Sequence, residues 1–420
     1  MPNSLALFAL LVSGAALSGC NVYKASFLDA GGDAGQLGCR RGTADCDRNG
    51  SCESNLDSPM TCGSCDNRCL GAQVCNPSSF TCEGDAGMFD AALPDSALPD
   101  AGDASMDAGP VVCGNVPPPR PTTPDDIDVE THTWALKDIV LDQRGKWQDI
   151  GWNLDGRCTF DITDEHLCTP PTAPVPPLDG PGGVDNSFGQ HILGLVAMFN
   201  TTFEVVAQRS MEEGQSIIVR LTNWNGMDDD PSVDVALMAA AGVRRPDGTT
   251  VPQWDGSDRW DVASTSFRGG NPEQPLIRAD NAYVAGRMIV AKLPDRQPII
   301  VPWVSTNSFE LRLTDTTFTA EISEDANTLQ RVWLTGRYGV IDLADAWERS
   351  GLCDGGALRA LVDMEISEDM DVRSTPGTGG MGATCDAISL ALEFTGYRAD
   401  YGTLVTPEPP PPVECIPDPT

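Results

Sequence analysis

Residues able to do chemistry are few in this 420-residue chain, and their spacing suits binding and cross-linking better than catalysis. Only three histidines occur, His132, His166 and His191, and no two stand at metal-ligand spacing on one element. A zinc or proton-relay centre built on imidazole is therefore not expected, and the three read as structural or surface groups. The sequence contains no Gly-x-Ser-x-Gly elbow and no dinucleotide fingerprint. Gly377 to Gly382 is glycine-rich but lacks the Lys and Ser/Thr of a phosphate-cradling loop, so it reads as a flexible loop. Asp45-x-Asp47-x-Asn49-Gly50 matches the first half of a calcium loop, where alternate oxygen side chains converge and Gly permits the turn. Leu56 then stands where the bidentate Glu belongs. Asp45, Asp47 and Asn49 are thus calcium candidates, with an ordinary polar turn as the alternative; no other cofactor is expected.

Other acids are too numerous to discriminate. A glycosidase needs two carboxyl groups facing each other across a sugar, and spacing along the chain cannot reveal that. Asp228-Asp229-Asp230 and the group Asp179, Asp185 and Asn186 around Gly182-Gly183 read as solvated turns, the alternative being oxygen ligands to calcium at a loop. Trp147, Trp152, Trp254 and Trp260 read as core of a domain poor in Phe and Tyr, the alternative being stacking on sugar rings from loops.

The cysteines say more. An apolar run from Leu5 to Leu17 closes in Leu17-Ser18-Gly19-Cys20, too short to span a bilayer core of roughly 30 Å. This arrangement resembles the lipobox of bacterial lipoproteins, although no Lys or Arg precedes the apolar run. The resemblance implies cleavage before Cys20, acylation of its sulfur and attachment to a membrane through the lipid. Asn21 in place of Asp implies the outer membrane by analogy with bacterial sorting rules. Of fifteen cysteines an even fourteen then remain, which in an oxidising compartment reads as a disulfide framework. Zinc or redox chemistry at Cys62-x-x-Cys65 is the weaker reading there.

Asp45-Cys46-Asp47-Arg48-Asn49-Gly50-Ser51-Cys52-Glu53, then Cys62-Gly63-Ser64-Cys65, Cys69, Cys75 and Cys82, resembles a short repeat of large secreted and surface proteins of social, predatory bacteria. Here Ser51 separates Gly50 from Cys52, and a single copy is present. Farther on, Gly151-Trp-Asn-Leu-Asp-Gly156, Gly183-Val-Asp-Asn186 and Trp224-Asn-Gly226 occur in an order similar to that in uncharacterised lipoproteins of the same bacterial group. Neither resemblance implies an activity.

These groups must be held by a chain that divides readily. Residues 1–19 read as a signal peptide, 20–37 as a tether, 38–82 as a disulfide-rich module and 83–112 as a stalk. Residues 113–415 read as a β-rich domain and 416–420 as a tail. The stalk repeats Asp-Ala-Gly, holds no base and little apolar surface, and is expected to be disordered because burial cannot offset its ordering entropy. Strands are predicted at Ser216–Trp224, Ser232–Met238, Tyr283–Leu293, Pro298–Val304, Phe309–Leu313, Phe318–Ile322 and from Ile388, where Ile388, Leu390, Leu392 and Phe394 share one face and Ser389, Ala391 and Glu393 the other, as in a strand half-buried and half open to solvent. Helical spacing occurs at Phe188–Phe199, Ile341–Arg349 and Ala357–Met364, with Gly189 and Gly194 weakening the first.

Many short strands broken by Gly, Pro and Asn indicate a mainly β fold, an antiparallel β-sandwich with a few short helices. A closed barrel is the alternative. The economical disulfides are Cys113–Cys415, stapling the domain ends, with Cys158–Cys168 and Cys353–Cys385. A net charge of −34 excludes a nucleic-acid binder, which needs clustered Lys and Arg. The sequence thus leads to the expectation of a lipid-anchored, non-enzymatic envelope protein whose β-rich domain is structural or binds an envelope protein or a polysaccharide. The alternative is a hydrolase of an extracellular polymer.

Overall fold

The computed structural model describes residues 113–122, 130–160, 166–199, 202–304, 307–380 and 382–407, with short strands near the N-terminus. The chain forms two compact units, Met1–Ser105 and Met106–Thr420. In the first, β1 (Thr43–Ala44) pairs antiparallel with β2 (Ser54–Asn55), and β3 (Val74–Cys75) with β4 (Cys82–Glu83), placing Cys75 opposite Cys82. Cys20, Asp45, Asp47 and Asn49 lie outside the described residues, as do the tether and the stalk.

The second unit is mainly β, and it is a barrel, not the expected sandwich. Its strands are β5 (Glu130–Val140), β6 (Ile217–Trp224), β7 (Asp230–Arg244), β8 (Arg259–Ala263), β9 (Ile277–Ala285), β10 (Met288–Lys292), β11 (Ile299–Val304), β12 (Asn307–Leu311), β13 (Leu313–Ile322), β14 (Thr328–Gly339), β15 (Ala387–Arg398) and β16 (Asp400–Val405). Eight of them close in the antiparallel order β7-β6-β5-β15-β14-β13-β10-β9, with β9 pairing back onto β7. Closure depends on β7. Its first part lies between β6 and β9; from Ala240 on the strand pairs with β8, with a register shift between Ala240 and Gly242, and β8 in turn carries β16 in parallel.

Alternation along each strand separates inside from outside. Val219 and Leu221 of β6, Val235 and Leu237 of β7, Leu334 and Tyr338 of β14, and Leu390 and Phe394 of β15 join one apolar cluster. The facing residues Ile218, Ala236 and Met238 pack under β8 with Trp260 and Val262 as a second core. Polar and charged side chains such as Arg220, Asp234, Arg278, Lys292, Arg331 and Glu393 alternate on the outer wall, the reverse of a membrane-spanning barrel. Among the described residues no helix is long and apolar enough to cross a membrane.

Helices complete the main core. A π-helical turn (Phe188–Ile192) leads into α1 (Leu193–Phe199), followed by α2 (Phe203–Glu212), α3 (Val340–Arg349) and α4 (Ala357–Asp369). α2 packs on β5 and β11, α3 on β12, and the π-turn between β15 and α4. α3 buries Leu343, Ala346 and Trp347 at helical spacing. Asp342 in its first turn is bound by Arg296 at 2.8 Å, and Arg349 occupies the last turn; both charges suit the helix dipole. Gly189, an argument against helix in the sequence, fits because a Cβ there would strike Gln143 and Asn186.

All three expected disulfide pairings are corrected. Cys113 bonds to Cys158 and Cys168 to Cys385; Cys353 is also disulfide-bonded. One expected pair stapled the domain ends and the other two joined neighbours in the chain, whereas closure brings Leu167–Thr169 beside Thr384-Cys385: Thr169 bridges Thr384 in parallel, and the Cys385 N–H donates to Thr169 O at 2.9 Å.

Candidate functional site

Between strands β5 and β6 the chain first makes a long excursion over the outer face of β14 and β15. Trp152 packs edge-on against Trp333 at 4.9 Å between centroids and donates its Nε1–H to Thr319 Oγ1 at 3.3 Å. With Ile150 and Ala391 these two rings form a third, small core. Gly151 lies above Ala391 at φ +121°, and a Cβ there would come within 2.9 Å of the Ala391 Cβ. Ser389 and Ala391, expected on a solvent-facing side of the strand, are therefore fully covered.

Asn186 ties this excursion to the barrel. Its Nδ2 donates to Gln143 Oε1 at 2.8 Å and to Ile150 O at 3.2 Å; its Oδ1 accepts the Ala391 N–H at 3.0 Å and the Gly189 N–H at 3.1 Å. The segment from Cys113 adds a further layer: Asn115 N–H donates to Gly182 O at 3.2 Å, and Asn153 N–H to Asn115 O at 2.8 Å.

These layers leave an open cleft of about 800 Å³, larger than two others of about 550 and 320 Å³. One wall is the barrel, with Val140, Arg331, Trp333 and Glu393; the other is the loop, with Asn115, Lys146, Asp149, Pro181 and Gly182. Trp333 Nε1–H holds Glu393 Oε2 at 2.7 Å, and Arg331 pairs with Glu321. Lys146 and Asp149 stand exposed on the rim. Charges of both signs, amide groups and a small apolar floor thus face one opening.

Behind the loop wall lies a group the sequence did not reveal. Asp155, Asp179, Asp185 and Asp371 are close enough to repel one another, and none lines the cleft. Asp185 Oδ2 accepts the Leu154 N–H at 2.6 Å and the Asp155 N–H at 3.2 Å; Asp179 Oδ2 accepts the Thr159 N–H at 2.6 Å. Asp371 takes the Ser389 N–H at 2.7 Å as well as its hydroxyl. Burial, with the neighbouring carboxylates, pushes Asp179 up to about 7 and Asp185 well above its ordinary value. Burial pushes Asp371 to about 7 despite the Ser389 bonds, and Asp369, at the end of α4, also to about 7. The solvated turn expected at Asp179 and Asp185 is therefore corrected: Asp185 is 3 % exposed. No group of three or more His, Cys, Asp or Glu side chains among the described residues is arranged to hold a metal ion.

The remaining sequence candidates fall elsewhere. His132 stacks on Trp134 and bonds Glu130 at 2.6 Å and Arg398 at 2.8 Å, a structural histidine. His191 meets Asp369 at 3.5 Å, and burial lowers its pKa. Trp152 and Trp260 are core residues, while Trp147 and Trp254 are half-buried. Asp230 is buried at the start of β7, accepting the Asn225 N–H at 2.8 Å and the Ser232 N–H at 3.0 Å, so this aspartate too is not a solvated turn residue. No family model, curated protein or solved structure matches the chain.

Proposed function

We propose that this is a lipid-anchored protein of the cell envelope that displays its barrel unit and binds a polysaccharide in the cleft beside β14 and β15, without turning it over. Attachment follows from the lipobox resemblance at Cys20, and an oxidising compartment from the even number of remaining cysteines and the disulfides of the barrel unit. The single observation that carries the binding reading is the cleft itself. It is open and lined by Asn115, Lys146, Gln148, Asp149, Arg331 and Glu393 together with Trp333, the mixture of amide, charge and ring that holds hydroxyl-rich chains. The barrel interior is filled by apolar side chains and offers no comparable polar surface.

A hydrolase of the same polymer is the second reading, because two carboxyl groups, Asp149 and Glu393, line the cleft. One experiment separates them. The intact acylated protein is titrated calorimetrically with soluble envelope polysaccharides, and the same mixtures are assayed for new reducing ends. Binding that weakens roughly tenfold in Lys146→Ala/Arg331→Ala, with no reducing ends formed, supports display. Turnover abolished by Glu393→Gln or Asp149→Asn establishes the hydrolase instead, and absence of binding to every polymer overturns the polysaccharide.

A further inference from the structure

We propose that Asp179 and Asp185, with Asp371 beside them on the barrel side, form a proton-operated clasp: a proton held between the first two keeps the 180–184 wall of the cleft against the barrel, and its loss lets the wall go. The inference deepens the reading of the cleft, since it gives that site a regulator, but its structural part stands without any ligand.

The geometry is specific. Pro181, Gly182 and Val184, which wall the cleft, lie between Asp179 and Asp185 in the chain. The two carboxyl groups at the ends of this segment are within hydrogen-bond reach of each other. Two carboxylates cannot bond unless a proton lies between them. Each also fastens a different strip of backbone, Asp179 at Thr159 and Asp185 at Leu154 and Asp155. Asp371 completes the clasp from the barrel side. It binds the N–H and hydroxyl of Ser389 on β15, and the Ser389 Oγ accepts the Ser187 N–H at 2.8 Å. Ser187 in turn donates its hydroxyl to Asp369 O at 2.7 Å. Barrel, loop wall and the end of α4 thus meet around these carboxyl groups; the N–H and hydroxyl bonds to them need no carboxyl proton, and the contact between Asp179 and Asp185 does.

Positive charge is scarce around them. From β14 comes the buried Arg337, whose guanidinium faces Asp155 and Asp315 and donates to Leu154 O and, at 3.0 Å, to Arg373 O. From the loop comes Arg157, and from α4 come three more acids, Glu365, Glu368 and Asp369, with His191 beside the last. Arg373 is paired with Asp386 at 3.3 Å. Protons supply the neutrality that these cations do not.

The sign follows from linkage. In the unfolded chain these aspartates release their protons near 3.8, whereas in the fold Asp179 and Asp371 retain them to about 7. Between those values the folded protein binds more protons than the unfolded, so stability from the clasp is full below the lower value and lost as pH rises through the upper one. The aspartates with lowered values, Asp142, Asp247 and Asp261 with Asp255 and Asp325 at about 2, titrate below this window and do not compete.

The test uses the full chain in chelator-treated buffer, comparing melting temperature and peptide-resolved amide exchange, corrected for intrinsic rate, between about pH 5 and pH 8. The expected result is a fall of roughly 5 °C on going to the higher pH, with faster exchange confined to 151–159 and 180–187. Asp179→Asn, whose amide keeps a donor and an acceptor but cannot ionise, flattens the exchange response and lessens the melting-temperature one, since Asp369 and Asp371 still titrate near 7; Asp228→Asn, on the exposed surface, leaves both unchanged. If wild-type exchange in those peptides does not change with pH, the clasp is overturned, whether or not the variant folds. It is also overturned if Asp179→Asn keeps the wild-type slope, or if millimolar calcium at the higher pH restores the wild type as acid does, since a cation would then be the operator. Failure of polysaccharide binding with this pH response intact removes the ligand and leaves the clasp standing.

Discussion

At the residue scale the chemistry of this protein is a chemistry of satisfied buried groups. Asn186 makes five side-chain bonds that link Gln143, Trp147, Ile150, Gly189 and the backbone of β15 at Ala391. Truncating it leaves buried donors and acceptors unpaired, which costs far more than the bonds contribute net. Asn186→Ala is expected to lower unfolding free energy by about 3 kcal/mol, read from urea denaturation at acidic pH. Asn186→Asp removes both donors and adds a fifth carboxyl near the buried four. Its defect is expected to grow as pH rises, so a loss that stayed constant across the same titration would contradict that placement. The sequence showed Asp185-Asn186 as part of a polar turn ahead of a helical pattern. Their role was not legible, because Ser389 and Ala391 read as the open side of a strand, and nothing local shows that the loop folds over them.

At the scale of elements, legibility followed periodicity. The face shared by Ile388, Leu390, Leu392 and Phe394 is buried in the main core as expected, and α3 and α4 begin within a residue of their predicted starts. The predicted strand from Tyr283 to Leu293 is instead the hairpin of β9 and β10. Gly286 and Arg287 form its two-residue turn with φ of +56° and +66°. Arg is a poor residue for that conformation and gave no turn signal. Tertiary bonds hold it there: Arg287 N–H donates to Asp228 O at 2.7 Å and its Nε–H to Ile322 O at 3.0 Å. Barrel closure was equally hidden, since the β7–β9 pairing joins segments whose alternation suits a sandwich as well as a barrel.

The corrected disulfide makes a prediction of its own. Cys168 and Cys385 are separated by 217 residues, and cross-linking so long a segment is worth up to roughly 5 kcal/mol on chain entropy alone. Cys168→Ser/Cys385→Ser should therefore lower the guanidinium midpoint with the slope retained. An unchanged midpoint would mean that the Thr169–Thr384 bridge already fixes this junction.

At the scale of the molecule, charge and attachment govern behaviour. A net charge of −34 repels anionic surfaces and so weighs against electrostatic attachment to an anionic membrane. Under the proposed acylation, the lipid supplies the attachment. Each buried methylene contributes about 0.8 kcal/mol, so one acyl chain binds reversibly and two or more bind stably. Cys20→Ser should accordingly move the protein wholly from the membrane pellet to the soluble fraction, and salt should not reverse the change. Intact-mass measurement of the wild-type protein should give a chain beginning at position 20 plus acyl groups, with no free thiol. An unacylated chain that still sediments with membranes would show that a surface of the folded protein is the anchor. The outer wall of the barrel, with its alternating Arg, Lys, Asp and Glu, would then be the wrong kind of surface to explain it.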